Sequence, residues 1–134
     1  MRPSDGVVVG PLRADGTVHA RQIAALVELA GALPVVFHRA FDRTVDPLAA
    51  LDELLSLGVQ YVLTSGHAES ALAGAEQLRA WQAHAGTALT ILAGGSVRGE
   101  NVRELVTRSG VREVHARATD PRIVRDVVRA LQIT

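Results

Sequence analysis

A short apolar run, a turn, an amphipathic helix and a glycine recur five times along this 134-residue chain, and no other feature constrains its fold as much. The runs are Val7-Val8-Val9, Val35-Val36-Phe37, Tyr61-Val62-Leu63-Thr64, Leu89-Thr90-Ile91-Leu92 and Glu113-Val114-His115. They return roughly every 26 residues, close to the length of one strand–helix unit. Near-continuous apolar runs of this size predict parallel strands covered on both faces. Between them lie stripes at helical spacing: Ile23, Leu26, Val27 and Ala30; Leu48, Leu51, Leu54 and Leu55; Leu72, Ala75 and Leu78. Val102, Leu105 and Val106 make a fourth, and Val124, Val127, Val128 and Leu131 a fifth. Each stripe predicts a helix with its apolar side on the sheet. Asp46-Pro47 and Asp120-Pro121 read as helix starts, an N-cap acceptor followed by a proline whose missing N–H costs nothing there. Gly31, Gly58, Gly86 and Gly110 read as helix ends.

Strict alternation implies a parallel sheet with right-handed crossovers. Periodicity alone does not separate an open doubly wound sheet from a barrel. The first run ends Gly10-Pro11-Leu12, without the G-x-G-x-x-G of a dinucleotide site, and polar residues gather after every strand, as on the active face of a barrel. The expectation is therefore α/β: one domain over residues 1–134, a partial (β/α)8 TIM barrel of five units with outer helices. Five parallel strands do not close at the tilt and shear of eight. The first and last strands then present open edges, which invite a homo-oligomer.

Composition removes several classes of function. Fourteen arginines balance fourteen acidic residues, so there is no net basic face for nucleic acid and no pull toward an anionic membrane. No apolar run approaches the roughly 20 residues of a membrane span. Met1-Arg2-Pro3-Ser4-Asp5 leads into no signal-peptide apolar region, so the expected location is the cytoplasm. There is no cysteine, hence no disulfide, thiolate nucleophile or thiolate metal site. Without lysine, Schiff-base chemistry is closed to this chain alone.

Four strand ends carry the candidate chemistry. Phe37-His38-Arg39-Ala40-Phe41-Asp42 puts an imidazole, a guanidinium and a carboxylate in one loop. An Arg39–Asp42 pair that orients His38 would serve acid–base or ligand chemistry with Arg39 as anion binder; a buried ion pair with a capping Asp is the alternative. Leu63-Thr64-Ser65-Gly66-His67 offers hydroxyls and a glycine where backbone amides can approach a ligand. Ala93-Gly94-Gly95-Ser96-Val97 is either an anion nest or a plain tight turn. His115 ends the last run and shares the rim with His38 and His67, a possible divalent-metal set or simply polar filler. Arg117, just beyond, is a candidate anion contact or simply fills the space of a short loop. His19 and His84 read as surface residues.

In this order and spacing, Asp5-Gly6-Val7-Val8-Val9-Gly10, Phe37-His38-Arg39-Ala40-Phe41-Asp42, Leu63-Thr64-Ser65-Gly66, Ala93-Gly94-Gly95 and Glu113-Val114-His115 resemble the copper homeostasis protein CutC family over nearly the whole chain. The resemblance implies an eight-unit TIM barrel of which these five units match the fourth to the eighth, with three N-terminal units absent. It also implies cytoplasmic copper homeostasis and copper ion binding. Cu(I) binding in the family is attributed to cysteines, at least some in early segments without counterpart here, and soft Cu(I) prefers thiolate and thioether donors. This chain has only Met1. The family's pocket residues correspond to His38, Arg39, Asp42, Thr64, Ser65, Gly66, Gly94, Gly95 and His115, with His38 and His115 the candidate metal ligands. Two departures fall after the last strand: Ala116-Arg117 replaces the usual Gly-Ser, and the loop before Asp120 is short. Three readings follow: a CutC-type metal-homeostasis protein, an enzyme or binding protein for a small anionic, phosphorylated metabolite, or a truncated remnant. A start site misplaced downstream of the missing units is an equivalent expectation to truncation.

Overall fold

Each of the five apolar runs becomes a strand, and each stripe becomes a helix. A computed structural model of the chain describes residues 6–116 and 119–132. The order is β1 (Val7–Val9), α1 (Ala20–Ala30), β2 (Val35–Phe37), a 3-10 helix (Arg39–Arg43), α2 (Pro47–Ser56), β3 (Tyr61–Thr64), α3 (Ala75–Ala85), β4 (Thr90–Gly94), α4 (Val102–Ser109), β5 (Glu113–His115) and α5 (Pro121–Gln132).

All neighbouring strands pair in parallel, in the sequential order β1-β2-β3-β4-β5. This order decides between the two architectures. A doubly wound sheet reverses its strand order at a switch point and carries helices on both faces. Sequential order with right-handed crossovers puts every helix on one face, which is how a barrel wall is built. The chain is an arc of a (β/α) barrel.

Strand alternation then sorts the side chains into two faces. Val35, Phe37, Val62, Thr64, Ile91 and Ala93 point toward the helices and are fully or almost fully buried. They meet Leu51, Leu54, Leu78, Trp81 and Leu105 from the helices, all within one core. The register places Val8 beside Val36, Val36 beside Tyr61, and Leu63 beside Leu92, on the opposite, inner face. These residues are half-buried or exposed, and Val8 is 64% exposed.

The caps form as the sequence predicts. Asp46 accepts from the Ala49 amide (3.2 Å), Asp120 from the Arg122 amide (2.9 Å), and Gly110 closes α4 in the left-handed conformation (φ +70°). Three expectations shift. Leu72 lies in the turn before α3, because the chain must first bring Gly74 against β3: a Cβ on Gly74 would sit 2.0 Å from Ser65 O. Leu48 is 45% exposed, on the outer side of α2. Val124 and Val128 are 37% and 46% exposed, since among the described residues no helix packs on the far side of α5.

Candidate functional site

Asp42 ties together the loops that leave β2 and β3. It sits near the end of the 3-10 helix, whose tight turn carries the carboxylate over β3. Its Oδ1 accepts from the Thr64 hydroxyl and the His67 amide (3.3 Å). Its Oδ2 accepts from the Ser65 amide (3.2 Å) and from Arg39 Nε (3.0 Å). Ser65 Oγ lies 3.1 Å from Asp42 Oδ2 and 2.6 Å from Ala68 O, so its single proton is shared, while a lone pair takes Arg39 Nη2 at 3.2 Å. Burial pushes the Asp42 pKa up, but the hydrogen bonds from Thr64, Arg39, Ser65 and His67 outweigh it and hold the group below the ordinary carboxylate value. Asp42 is therefore a fixed anion that clamps Arg39.

His38 is held differently from the sequence expectation. It makes no bond to Asp42. The strand ends at Phe37, and His38 caps the 3-10 helix by accepting the Ala40 amide on Nδ1 (3.0 Å). That acceptor role leaves the proton of the neutral ring on Nε2. The ring lies over Gly10, where a Cβ would come within 2.1 Å of Nε2. Gly10 must therefore be glycine for His38 to adopt this position. His67 turns away from the inner face. Its Nε2 lies 2.7 Å from Phe41 O, and since a carbonyl only accepts, this contact requires a proton on Nε2. Its ring packs edge-on against Phe41 and Trp81. His115 ends β5, and two strands separate it from β2, which His38 follows. His19 caps α1, and His84 bonds Asp52 on the surface (2.6 Å).

The open space lies farther along the rim. A cavity of about 400 Å³ is lined by Arg39, Leu63, Gly95, Ser96, Val97, Arg98, His115 and Thr119. Among the described residues its charged lining is two arginines, with no carboxylate. Gly95 holds φ +120° and packs so closely that a Cβ would lie 3.2 Å from Ser65 Cβ and 3.4 Å from Arg39 Nη1. Ser96 follows with φ +55°, so this turn is shaped by two consecutive positive-φ residues. Its geometry is further fixed by the Asn101 amide on Ser96 O (2.9 Å) and by Asn101 Oδ1 on the Arg98 amide (2.9 Å).

The candidate ligand-binding residues thus separate into two groups. Gly95 and Ser96 line the cavity. Thr64, Ser65, Gly66 and Gly94 are buried behind it. The Ser65 and His67 amides are spent on Asp42, and the Gly66 amide on Thr64 Oγ1 (3.0 Å). Gly66 allows the loop to meet Gly74, and Gly94 makes room for Leu63. Arg117 lies outside the described residues. Arg98 escaped the sequence reading; its one local signal is a basic residue in the loop after β4, close behind Gly94-Gly95.

The CutC family model matches residues 3–120. The chain belongs to the CutC family. A CutC family protein of Xanthomonas campestris pv. campestris (strain B100) is 44% identical over 117 residues, covering 87% of this chain and 49% of its own length. The Vibrio vulnificus (strain YJ016) relative is 46% identical over 112 residues, covering 82% and 45%. A solved CutC structure from Streptococcus agalactiae, a protein named for copper homeostasis, superposes with TM-score 0.77 at 29% identity, covering 84% of this chain and 55% of that one. The chain spans about half the length of the curated relatives it matches.

The copper in the family's name can be tested against the donors present. Among the described residues no group of three or more His, Cys, Asp or Glu side chains converges as a metal site. There is no cysteine, His38 Nδ1 accepts an amide, and His67 Nε2 is bound to Phe41 O. These residues do not fit Cu(I), whose preferred ligands are thiolates and thioethers. Among the described residues no helix is long and apolar enough to cross a membrane.

Proposed function

We propose that this CutC chain binds a small organic anion, a carboxylate or phosphate ester, in the cavity at the C-terminal ends of β3, β4 and β5. The observation that carries this reading is the pairing of Arg39 and Arg98 in one cavity that no carboxylate lines. Clamped by Asp42 and Ser65, the Arg39 guanidinium loses little freedom when it meets an anion. Ser96 offers a hydroxyl and His115 an imidazole N–H donor. Thr64 and Asp42 act behind the site as positioning residues. The cytoplasm is the setting in which this reading and the family's link to copper homeostasis coincide. Copper homeostasis would then be served through a bound metabolite, with no metal held by these residues.

Isothermal titration with inorganic phosphate, glycerol phosphate and a dicarboxylate tests the proposal. Saturable one-to-one binding by one of them is expected. Arg39→Gln and Arg98→Gln should each weaken it at least tenfold, the scale of one lost charge-assisted hydrogen bond. Absence of saturable binding to all three probes, or unchanged affinity in both variants, rejects the reading. In a parallel titration under reducing conditions, Cu(I) should show no stoichiometric site.

A further inference from the structure

The two adjacent glycines at the end of β4 serve different walls of the cavity. At Gly95 a Cβ would press on Ser65 Cβ (3.2 Å) and Arg39 Nη1 (3.4 Å), so this glycine makes room for the guanidinium. At Gly94 a Cβ would lie 2.6 Å from Leu63 Cδ1 and 3.5 Å from His115 Cβ. The Leu63 methyls therefore occupy the place where a side chain of residue 94 would stand. Leu63 is on the inner face of β3, in register with Leu92, and it lines the cavity. An apolar floor thus lies beside a cationic wall. β2, β3 and β4, which carry these residues or the loops that hold them, each pair with a neighbour on both sides inside this chain.

The cationic wall has a defined free branch. Arg39 Nε is held by Asp42 (3.0 Å) and Nη2 by Ser65 Oγ (3.2 Å). Its Nη1, beside Gly95, has no acceptor among the described residues. An anionic head needs only that branch and Arg98. The cavity, at about 400 Å³, is larger than such a head and falls in the range of organic-ligand pockets, roughly 300–1,000 Å³. The part of the ligand beyond the head then meets Leu63. A methylene there leaves water for a methyl surface, which is favourable. A hydroxyl there gives up its bonds to water and finds no partner on leucine.

We propose that the ligand of this cavity carries its anionic head on an unsubstituted hydrocarbon body, and that Leu63, seated over Gly94, selects it against polyhydroxylated anions of the same charge. This rests on the anion-binding reading above and narrows it: the ligand class is an alkyl phosphate or alkyl carboxylate, not a sugar phosphate or sugar acid. Gly94 is then a specificity residue for the body, and Gly95 a positioning residue for the head.

Propyl phosphate and glycerol phosphate make a matched pair, with the same head and carbon count and a difference of two hydroxyls. Isothermal titration of the wild-type chain should give propyl phosphate the tighter Kd by about tenfold, the scale of one hydroxyl left unpaired. Ethyl, propyl and butyl phosphate should tighten by about fourfold per methylene, the equivalent of ~0.8 kcal/mol per buried CH2. Butyrate against 3,4-dihydroxybutyrate repeats the comparison with a carboxylate head, and the head that shows the preference is the one the arginines take. Leu63→Asn should erase or reverse the preference. Gly94→Ala should push the Leu63 methyls into the cavity and weaken butyl phosphate more than ethyl phosphate, which a general loss of structure would not do. Glycerol phosphate bound as tightly as propyl phosphate, with dihydroxybutyrate bound as tightly as butyrate, overturns the inference and leaves the anion site standing. A preference that persists in Leu63→Asn overturns Leu63 as its source. Absence of binding by every probe overturns both. The wild-type comparison decides whether or not a variant folds.

Discussion

The two faces of the five-stranded sheet obey different rules although they alternate residue by residue along the same strands. On the outer face Phe37, Val62 and Ile91 are fully buried beneath helices that the chain supplies itself. On the inner face their immediate neighbours Val36, Tyr61, Leu63 and Leu92 are only partly covered. The difference teaches where the stability of this arc lies. A strand–helix unit buries its outer side by local crossover, whereas the inner side of a barrel is filled by strands on the opposite wall. Five units cover the first fully over β2, β3 and β4, and the second only partly.

Substitutions at paired positions can break or sharpen this contrast. The largest effect should come from Phe37→Ala, which empties a fully buried outer site. A loss of about 3–5 kcal/mol in urea denaturation is expected. A loss below 1 kcal/mol would mean that the outer core is not the principal source of stability.

Asp42→Asn should come next, because it removes the charge that gathers Arg39, Thr64, Ser65 and His67. A cost of about 1–3 kcal/mol at neutral pH is expected. The pH dependence has a definite sign. Asp42 is held below the ordinary carboxylate value of 3.8, so its contribution is complete above that value and is lost as pH falls through the lower folded-state value. Denaturation midpoints of the wild type should therefore drop at acid pH more steeply than those of Asp42→Asn. Equal slopes would remove Asp42 from its place as a stabilising anion.

The smallest effect should come from Val8→Thr on the inner face of β1, within about 0.5 kcal/mol for the isolated chain. A larger loss would mean that the inner face of β1 carries more of the stability than its exposure implies.

Much of this molecule is legible in local pattern. The five strands begin within a residue of the apolar runs, and Asp46-Pro47 and Asp120-Pro121 open helices as their chemistry requires. The Arg39–Asp42 pair is also local, three positions apart on a short helix. What the pattern could not show is that His38 is fixed by Ala40 and Gly10 while Asp42 serves Thr64, Ser65 and His67 instead. Those partners are more than twenty residues away from Asp42, in the next βα loop. His38, His67 and His115 looked equivalent as strand-end imidazoles, yet one caps a 3-10 helix, one packs on Trp81 and one lines a cavity.

The sequence alone determined the number of units, their parallel sense, the buried face of most helices and the absence of thiolate chemistry. Each of these follows from periodicity or residue type within a single unit, where chain connectivity leaves few alternatives. The tertiary structure confirmed the sequential strand order expected of a barrel, and it alone decided the Asp42 clamp and the meeting of Arg39 with Arg98. Those depend on how successive crossovers stack side by side, and packing between units leaves no trace in the spacing within any one of them.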